Sequence, residues 1–253
     1  MSVVEVTRSG PVTTVTLADE ARRNVLSAEL VSGLLDALDE AADDPSTRVV
    51  VVTNRGSTFC AGADLTTAAG PGAPGLVALL QRIRQCPKPV VGRLAGHCVA
   101  GGVGLAAAMD VSVALDTARF GFTEARVGVA PAMIEVVCLP KMRLGEAREA
   151  FLRANRFSAT DAVRLGLINH AVASEDLDAT VDAIVDDLLA GAPEALAAAK
   201  QLTDVVPNLP PDEAFTWAAE LSAHLFAGEA AREGMAAFLE KRPATWVVRR
   251  GAV

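Results

Sequence analysis

The sequence predicts an α/β protein: a core of alternating strands and helices, followed by a helical C-terminal third. Three observations carry this. "RVVVVTN" at 48–54 is an unbroken β-branched run, the pattern of a strand covered on both faces in a parallel sheet. Strand-like and helix-like runs alternate over 48–115, which favours βαβ units with right-handed crossovers. From 142 onward one segment after another shows helical spacing.

Taken in order, "VVEVTRSGPVTTVTLAD" is two β-rich runs around Ser9, Gly10 and Pro11, a predicted hairpin. Leu30, Leu34, Leu35 and Leu38 then recur at helical spacing, with Ser27 as N-cap. After the strand at 48–54, "RGSTFCAGADLTTAAGPGAPG" reads as a loop with a Gly/Pro/Ala-rich second half. Its Pro/Gly cluster at 70–75 is internal, because the alternation continues past it: "LVALLQRIRQC" is helical and "KPVVGRLAG" a further strand. The helical third comprises "LGEAREAFLRA", "SATDAVRLG", "SEDLDATVDAIVDDLLAG", "PEALAAAKQLTDVV", "PPDEAFTWAAELSAHLFAG" and "EAAREGMAAFLEKR". No repeat of 20–50 residues is visible.

A chain of 253 residues suffices for one large core with a small appendage. Nucleic acid is a poor partner, since aromatic residues are 4%, tyrosine is absent and the net charge is −8. Cys60, Cys86, Cys98 and Cys138 form no C-x-x-C pair, and "MSVVEVTRSG" has no basic-then-apolar leader, so a cytoplasmic protein with reduced thiols is expected. No apolar run approaches the ~20 residues of a membrane span, and no His/Cys/Asp spacing suggests a metal.

Two glycine-rich segments share one arrangement. "STFCAGADL" follows "RVVVVTN", "AGHCVAGGVGLAAAMD" follows "PVVGRL", and each leads from a strand toward a helix. The first amides of a helix lack intrahelical partners, so one from each loop, converging on a single oxygen, would make an oxyanion hole that requires Gly or Ala for close approach. Close packing of helix on sheet is the better explanation of a lone glycine cluster; the two loops in this order and at this separation raise the functional reading. "AGGVG" is neither G-x-G-x-x-G nor a Walker motif. His97 reads as a packing residue, His170 and His224 fall in the helical part, and Cys60 reads as a small buried residue.

"FCAGADL" (59–65), "AGHCVAGGVGLAAAMDVSVALDTARFGFTEARVGVAP" (95–131), "RFSATDAVRLGLINHAV" (156–172) and "EGMAAFLEKRPATW" (233–246) together resemble the crotonase family of enoyl-CoA hydratase/isomerase proteins. The resemblance implies an α/β spiral of ββα repeats over 1–195, and a helical region over 196–253 that mediates trimerisation, commonly as a dimer of trimers. It implies an acyl-CoA thioester as ligand, as in fatty acid metabolism, with CoA entering as part of the substrate and no separate cofactor. The carbonyl-holding amides map onto Ala63 and Gly101, with Asp64, Leu65 and Thr66 lining the acyl-CoA site. Each such donor is typically worth ~3 kcal/mol to an enolate-like transition state. Arg23 and Lys241 match positions near the nucleotide end of CoA, Lys241 from a neighbouring subunit; Phe238 packs either on the ligand or on its own helix partners. The pocket walls would come from 66–76 and 131–145.

Hydratases of the family use two glutamates. The first corresponds to Gly104 and is missing; the second corresponds to Glu124 and is present. A lone glutamate suits a 1,3-proton shift, whereas hydration needs another group to orient water. Glu135, eleven residues after Glu124, is a candidate second carboxylate if a helix beginning near Pro131 turns it inward. An acyl-CoA-binding protein without turnover is the reading from a different class.

Overall fold

The computed structural model describes residues 2–66 and 73–248. Strands β1 (Val4–Ser9) and β2 (Val12–Leu17) form the expected hairpin, with Ser9 opposite Val12. Its tight loop needs Gly10 at φ +52°. Helix α1 (Ala28–Asp43) starts at Ser27, whose hydroxyl accepts the Leu30 N–H at 3.2 Å, and buries Leu30, Leu34 and Leu38.

Three turns of one unit follow. The first is β3 (Val49–Asn54), β4 (Thr58–Cys60) and α2 (Ala73–Gln85). Next come β5 (Val90–Leu94), β6 (His97–Val99) and α3 (Gly101–Ala108). The third is β7 (Val111–Leu115), β8 (Arg119–Gly121) and α4 (Ala132–Cys138). Each unit gives its first strand to one sheet and its second to another. The larger sheet runs β1-β2-β3-β5-β7-β10, parallel beyond the hairpin, and the smaller runs β4-β6-β8-β9. The plain βαβ expectation is corrected to ββα: β4 and β6 stand where the sequence read as loop, because three-residue strands flanked by glycine leave no periodicity to detect.

Past 142 the chain is not wholly helical. After α5 (Leu144–Arg153) comes β9 (Phe157–Ser158), antiparallel to β8; after α6 (Ala159–Arg164) comes β10 (His170–Val172), parallel to β7. His170 therefore opens a strand. Of the Pro/Gly cluster at 70–75, residues 70–72 lie outside the described residues, while 73–75 belong to the first turn of α2, where proline's missing N–H costs no helical bond.

The valines of β3 show why its run is continuous. Val50 and Val52 join the main core with α1, α2 and α3, while Val49 and Val51 face Leu177, Val181, Val185 and Leu189 of α7 (Leu177–Ala190). Each buried aliphatic side chain contributes about 2 kcal/mol. Helices α8 (Pro193–Val205), α9 (Pro211–Ala227) and α10 (Glu229–Glu240) complete the chain, and the 195/196 division falls within α8. Lys200 fastens α8 to the core through Asp110 at 2.8 Å and the Ile83 carbonyl at 2.9 Å. Beyond this, α9 buries none of its residues and α10 only Ala237, leaving Phe215, Phe226 and Phe238 exposed. Among the described residues, no helix is long and apolar enough to cross a membrane. All four cysteines are buried and unpaired.

Candidate active site

The ends of β4 and β6 lie side by side, and the loops leaving them touch backbone to backbone. Gly62 has φ +91°, and a Cβ there would sit 2.8 Å from Ala100 Cβ and 3.4 Å from Gly101 N. A Cβ on Gly101 would lie 2.6 Å from Leu26 Cδ1 and 3.9 Å from Ala63 N. The Gly62 carbonyl accepts the Leu26 N–H at 2.8 Å, pinning the first loop to the chain ahead of α1. Among the described residues, neither the Ala63 nor the Gly101 N–H finds a hydrogen-bond partner. Gly101 is also the first residue of the fully buried α3, so the positive end of that helix adds to its N–H.

Ala100, ahead of Gly101, is held at φ +51°, ψ −122°. That region is almost reserved for glycine and costs about 1–3 kcal/mol for a residue with a Cβ. Its N–H donates to the Gly121 carbonyl at 2.8 Å, and this bond to β8 helps hold the turn in place. The strain sets the direction in which Gly101 N–H points.

Gly104 lies one helical turn further on. A Cβ there would stand 2.3 Å from Ile134 Cγ2 and 2.7 Å from Ile134 Cβ, so α4 fills the space that a side chain at 104 would need. The same helix, which begins at Ala132 with Pro131 as its N-cap, carries Glu135, half-buried. Glu124 opens a 3-10 turn, Glu124–Val127, directly after β8. Its Oε2 is shut off from solvent and has no hydrogen-bond partner among the described residues. Burial pushes the Glu124 carboxyl above the ordinary range, and the charge of Glu135 pushes it the same way. Both carboxylates also act on the Cys138 thiol, which burial above all raises to about 12. Glu124 is thus within electrostatic reach of Glu135 and Cys138, both carried by the helix of Ile134.

The other expected site residues divide. Asp64 turns onto its own loop, accepting the Thr66 hydroxyl at 2.6 Å and the Thr66 N–H at 3.0 Å, and it pairs with Arg22. The Thr66 bonds first, then Arg22, hold its carboxyl below the usual range. Leu65, between them, is 71% exposed. Arg23 lies on a separate cavity with His97 and Arg156. Phe238 and Lys241 stand in solvent at the end of α10, which packs on α9, so this chain alone does not bring them to the amide pair. Residues 67–72 of the expected 66–76 wall lie outside the described residues. Cys60 is pushed to about 12 by burial and stays a thiol.

Ala100, Ile134 and Cys138 escaped the sequence reading. Ile134 and Cys138 carry only ordinary helical spacing, and nothing in "VAGG" distinguishes a strained alanine from a relaxed one.

Fold and site together define a class: an α/β spiral of ββα turns whose strand ends present backbone N–H groups without a partner among the described residues, with a half-buried carboxyl in the turn that follows β8. The enoyl-CoA hydratase/isomerase family model matches residues 7–249, and the chain belongs to that family, the crotonases. A provisionally named enoyl-CoA hydratase of Thermus thermophilus is 35% identical over 244 residues, covering 92% of this chain and 96% of that protein. Carnitinyl-CoA dehydratase of Salmonella typhi is 33% identical over 256 residues, 96% of this chain and 97% of the relative. The crystal structure of an enoyl-CoA hydratase from Mycobacterium smegmatis superposes with TM-score 0.91 at 30% identity, over 98% of this chain and 100% of that one.

Proposed function

We propose that this chain carries out proton transfer on acyl-CoA thioesters through an enolate held by the Ala63 and Gly101 N–H groups, with Glu124 as acid and base. The observation that supports this most is the pairing of two partnerless N–H donors on touching loops with a carboxyl whose Oε2 is buried and also partnerless. Donors left unpaired in the free protein need no rearrangement to receive a developing oxyanion.

In a 1,3-shift, the Glu124 carboxylate takes a proton from C2 of a 3-enoyl-CoA. The C–H electron pair moves into the thioester carbonyl, whose oxygen the two N–H groups hold. The carboxylic acid then returns the proton at C4, leaving the double bond at C2–C3. The raised Glu124 pKa suits a group that must both take and give a proton.

The charge of Glu135 acting on Glu124 favours a second reading, hydration or dehydration, and both relatives above carry names of that kind. In that reaction one carboxylate would take a proton from water as the water oxygen adds to C3, and a carboxylic acid would protonate C2. Asp64 and Thr66 act here by shaping the loop that presents Ala63, beside Leu65. CoA enters as substrate and no separate cofactor is required. The exposed aromatic faces of α9 and α10 suit packing between copies in a homotrimer or a dimer of trimers, where Phe238 and Lys241 would reach a neighbour's ligand, with Arg23 serving the nucleotide end. The expected location is cytoplasmic.

Crotonyl-CoA and a 3-enoyl-CoA, followed by loss and appearance of the conjugated thioester respectively, separate the two reactions. Glu124→Gln should lower either rate by about 10²-fold or more. An unaffected rate in Glu135→Gln rejects the two-carboxylate reading. Binding of CoA esters without turnover of either would instead point to a binding protein.

A further inference from the structure

The C-terminal end of α3, together with α4, α7 and α8, lines a cavity of about 680 Å³. Ala107, Ala108 and Met109 at the end of α3, Val137 of α4, Leu188 of α7 and Leu196 of α8 give it apolar walls. Helix α3 begins at Gly101 and rises ~1.5 Å per residue, which sets this cavity roughly 12 Å from that N–H. None of the residues proposed to handle the thioester lines it.

Five charged side chains also face the cavity: Arg84, Lys141 and Lys200, with Asp110 and Asp204. Four of them are paired. Lys200 Nζ lies 2.8 Å from Asp110 Oδ2, which also accepts the Val90 N–H at 2.7 Å, and Arg84 Nη2 lies 2.7 Å from Asp204 Oδ1. Lys141, in the turn between α4 and α5, is left over. The charges of Asp110 and Arg84 act on its ammonium in opposite directions, and among the described residues it makes no ion pair and no side-chain hydrogen bond. The lining therefore carries one net positive charge, in a chain whose net charge is −8.

Apolar walls with a few placed polar groups, at a volume of about 300–1,000 Å³, are the usual form of a small-molecule site. A ligand that suits these walls has an aliphatic body, and one that suits the leftover ammonium ends in a single negative charge. A phosphate ester would bring more negative charge than one ammonium offsets, within reach of two carboxylates. The geometry points to one class of occupant: we propose that this cavity binds a soluble aliphatic monocarboxylate, with the carboxylate on Lys141 and the chain against Met109, Leu188 and Leu196. Nothing in this depends on the enolate reading.

The test follows isotope-labelled methionine methyl groups of the full chain by NMR. Met109 lines the cavity, whereas Met133 lies two residues ahead of Glu135, and Met109→Leu assigns the signal. Titration with butyrate, hexanoate and octanoate should move the Met109 signal saturably, with affinity rising about threefold for each methylene added. Lys141→Gln should weaken octanoate binding about fivefold or more, while octanol, the same chain without the charge, changes by less than about twofold. Arg148→Gln removes an equal charge from an exposed position on α5 and should change octanoate binding by less than about twofold.

A Met109 signal that octanoate does not move, a shift at Met133 alone, or equal weakening of octanoate and octanol by Lys141→Gln overturns the proposal. A Met109 signal that follows subunit concentration and not octanoate assigns the cavity to a contact between copies of the chain, which overturns it as well.

Discussion

Replacing Gly104 by alanine adds one methyl group where α3 and α4 touch. The new Cβ would stand 2.3 Å from Ile134 Cγ2 and 2.7 Å from Ile134 Cβ, each well inside van der Waals contact. Cγ2 is carried directly on the Ile134 Cβ, so no rotation of a long side chain relieves the second contact, and one helix must move. Overpacking of this kind costs about 1–3 kcal/mol, and the stiffness of a β-branched neighbour puts Gly104→Ala near the upper figure. For a chain of this size, about 3 kcal/mol corresponds to a fall of roughly 6–12 °C in Tm. Ile134→Ala alone opens a cavity and costs about 2–5 kcal/mol. In the double variant the added methyl enters the vacated space, so the combined loss should fall short of the sum by about 1–3 kcal/mol. Urea unfolding followed by circular dichroism, at one fixed subunit concentration, measures all three. A Gly104→Ala protein as stable as wild type, or strict additivity in the double variant, would refute this account of why position 104 is bare.

Glu124 should make stability depend on pH in a direction opposite to most carboxylates. Its folded pKa is raised, so between its ordinary value of 4.5 and that raised value the native state binds more protons than the unfolded chain, and stability falls as pH rises through this window. Glu124→Gln should therefore unfold at a higher temperature than wild type near pH 7–8, with the difference closing near pH 4; equal pH dependence in both proteins argues against the raised pKa. Gly101→Ala should abolish most activity, about 10²-fold or more, because its Cβ would come within 2.6 Å of Leu26 Cδ1 and shift the N–H; full turnover in that variant would remove Gly101 from the oxyanion pair.

The long elements were legible because each repeats a pattern. Val49 to Val52 announce a doubly covered strand, and Leu30, Leu34 and Leu38 announce a buried helix face. The second sheet was illegible because its strands are two or three residues long: "TFC", "HCV", "RFG" and "FS" give no period, and their glycine neighbours read as loop. The two glycine loops were identified, but not that Gly62 and Ala100 touch, since that contact arises only when β4 and β6 pair. The absence of an acid at 104 was visible; that Ile134 occupies the space was not, because the two residues are thirty positions apart and meet only through helix packing.

The proposed oxygen-holding groups, Ala63 and Gly101, work through main-chain N–H bonds, and this affects how the protein can evolve. A genetic change cannot delete a peptide N–H except by installing proline; it can only displace it. Positions 124, 134 and 135 contribute side chains, which a single codon change can remove or exchange. One part of the chemistry is therefore shielded from most point mutation while the other is open to it. A lineage built on this turn of backbone can lose or relocate a proton-handling acid and still retain a scaffold on which a new reaction can be selected.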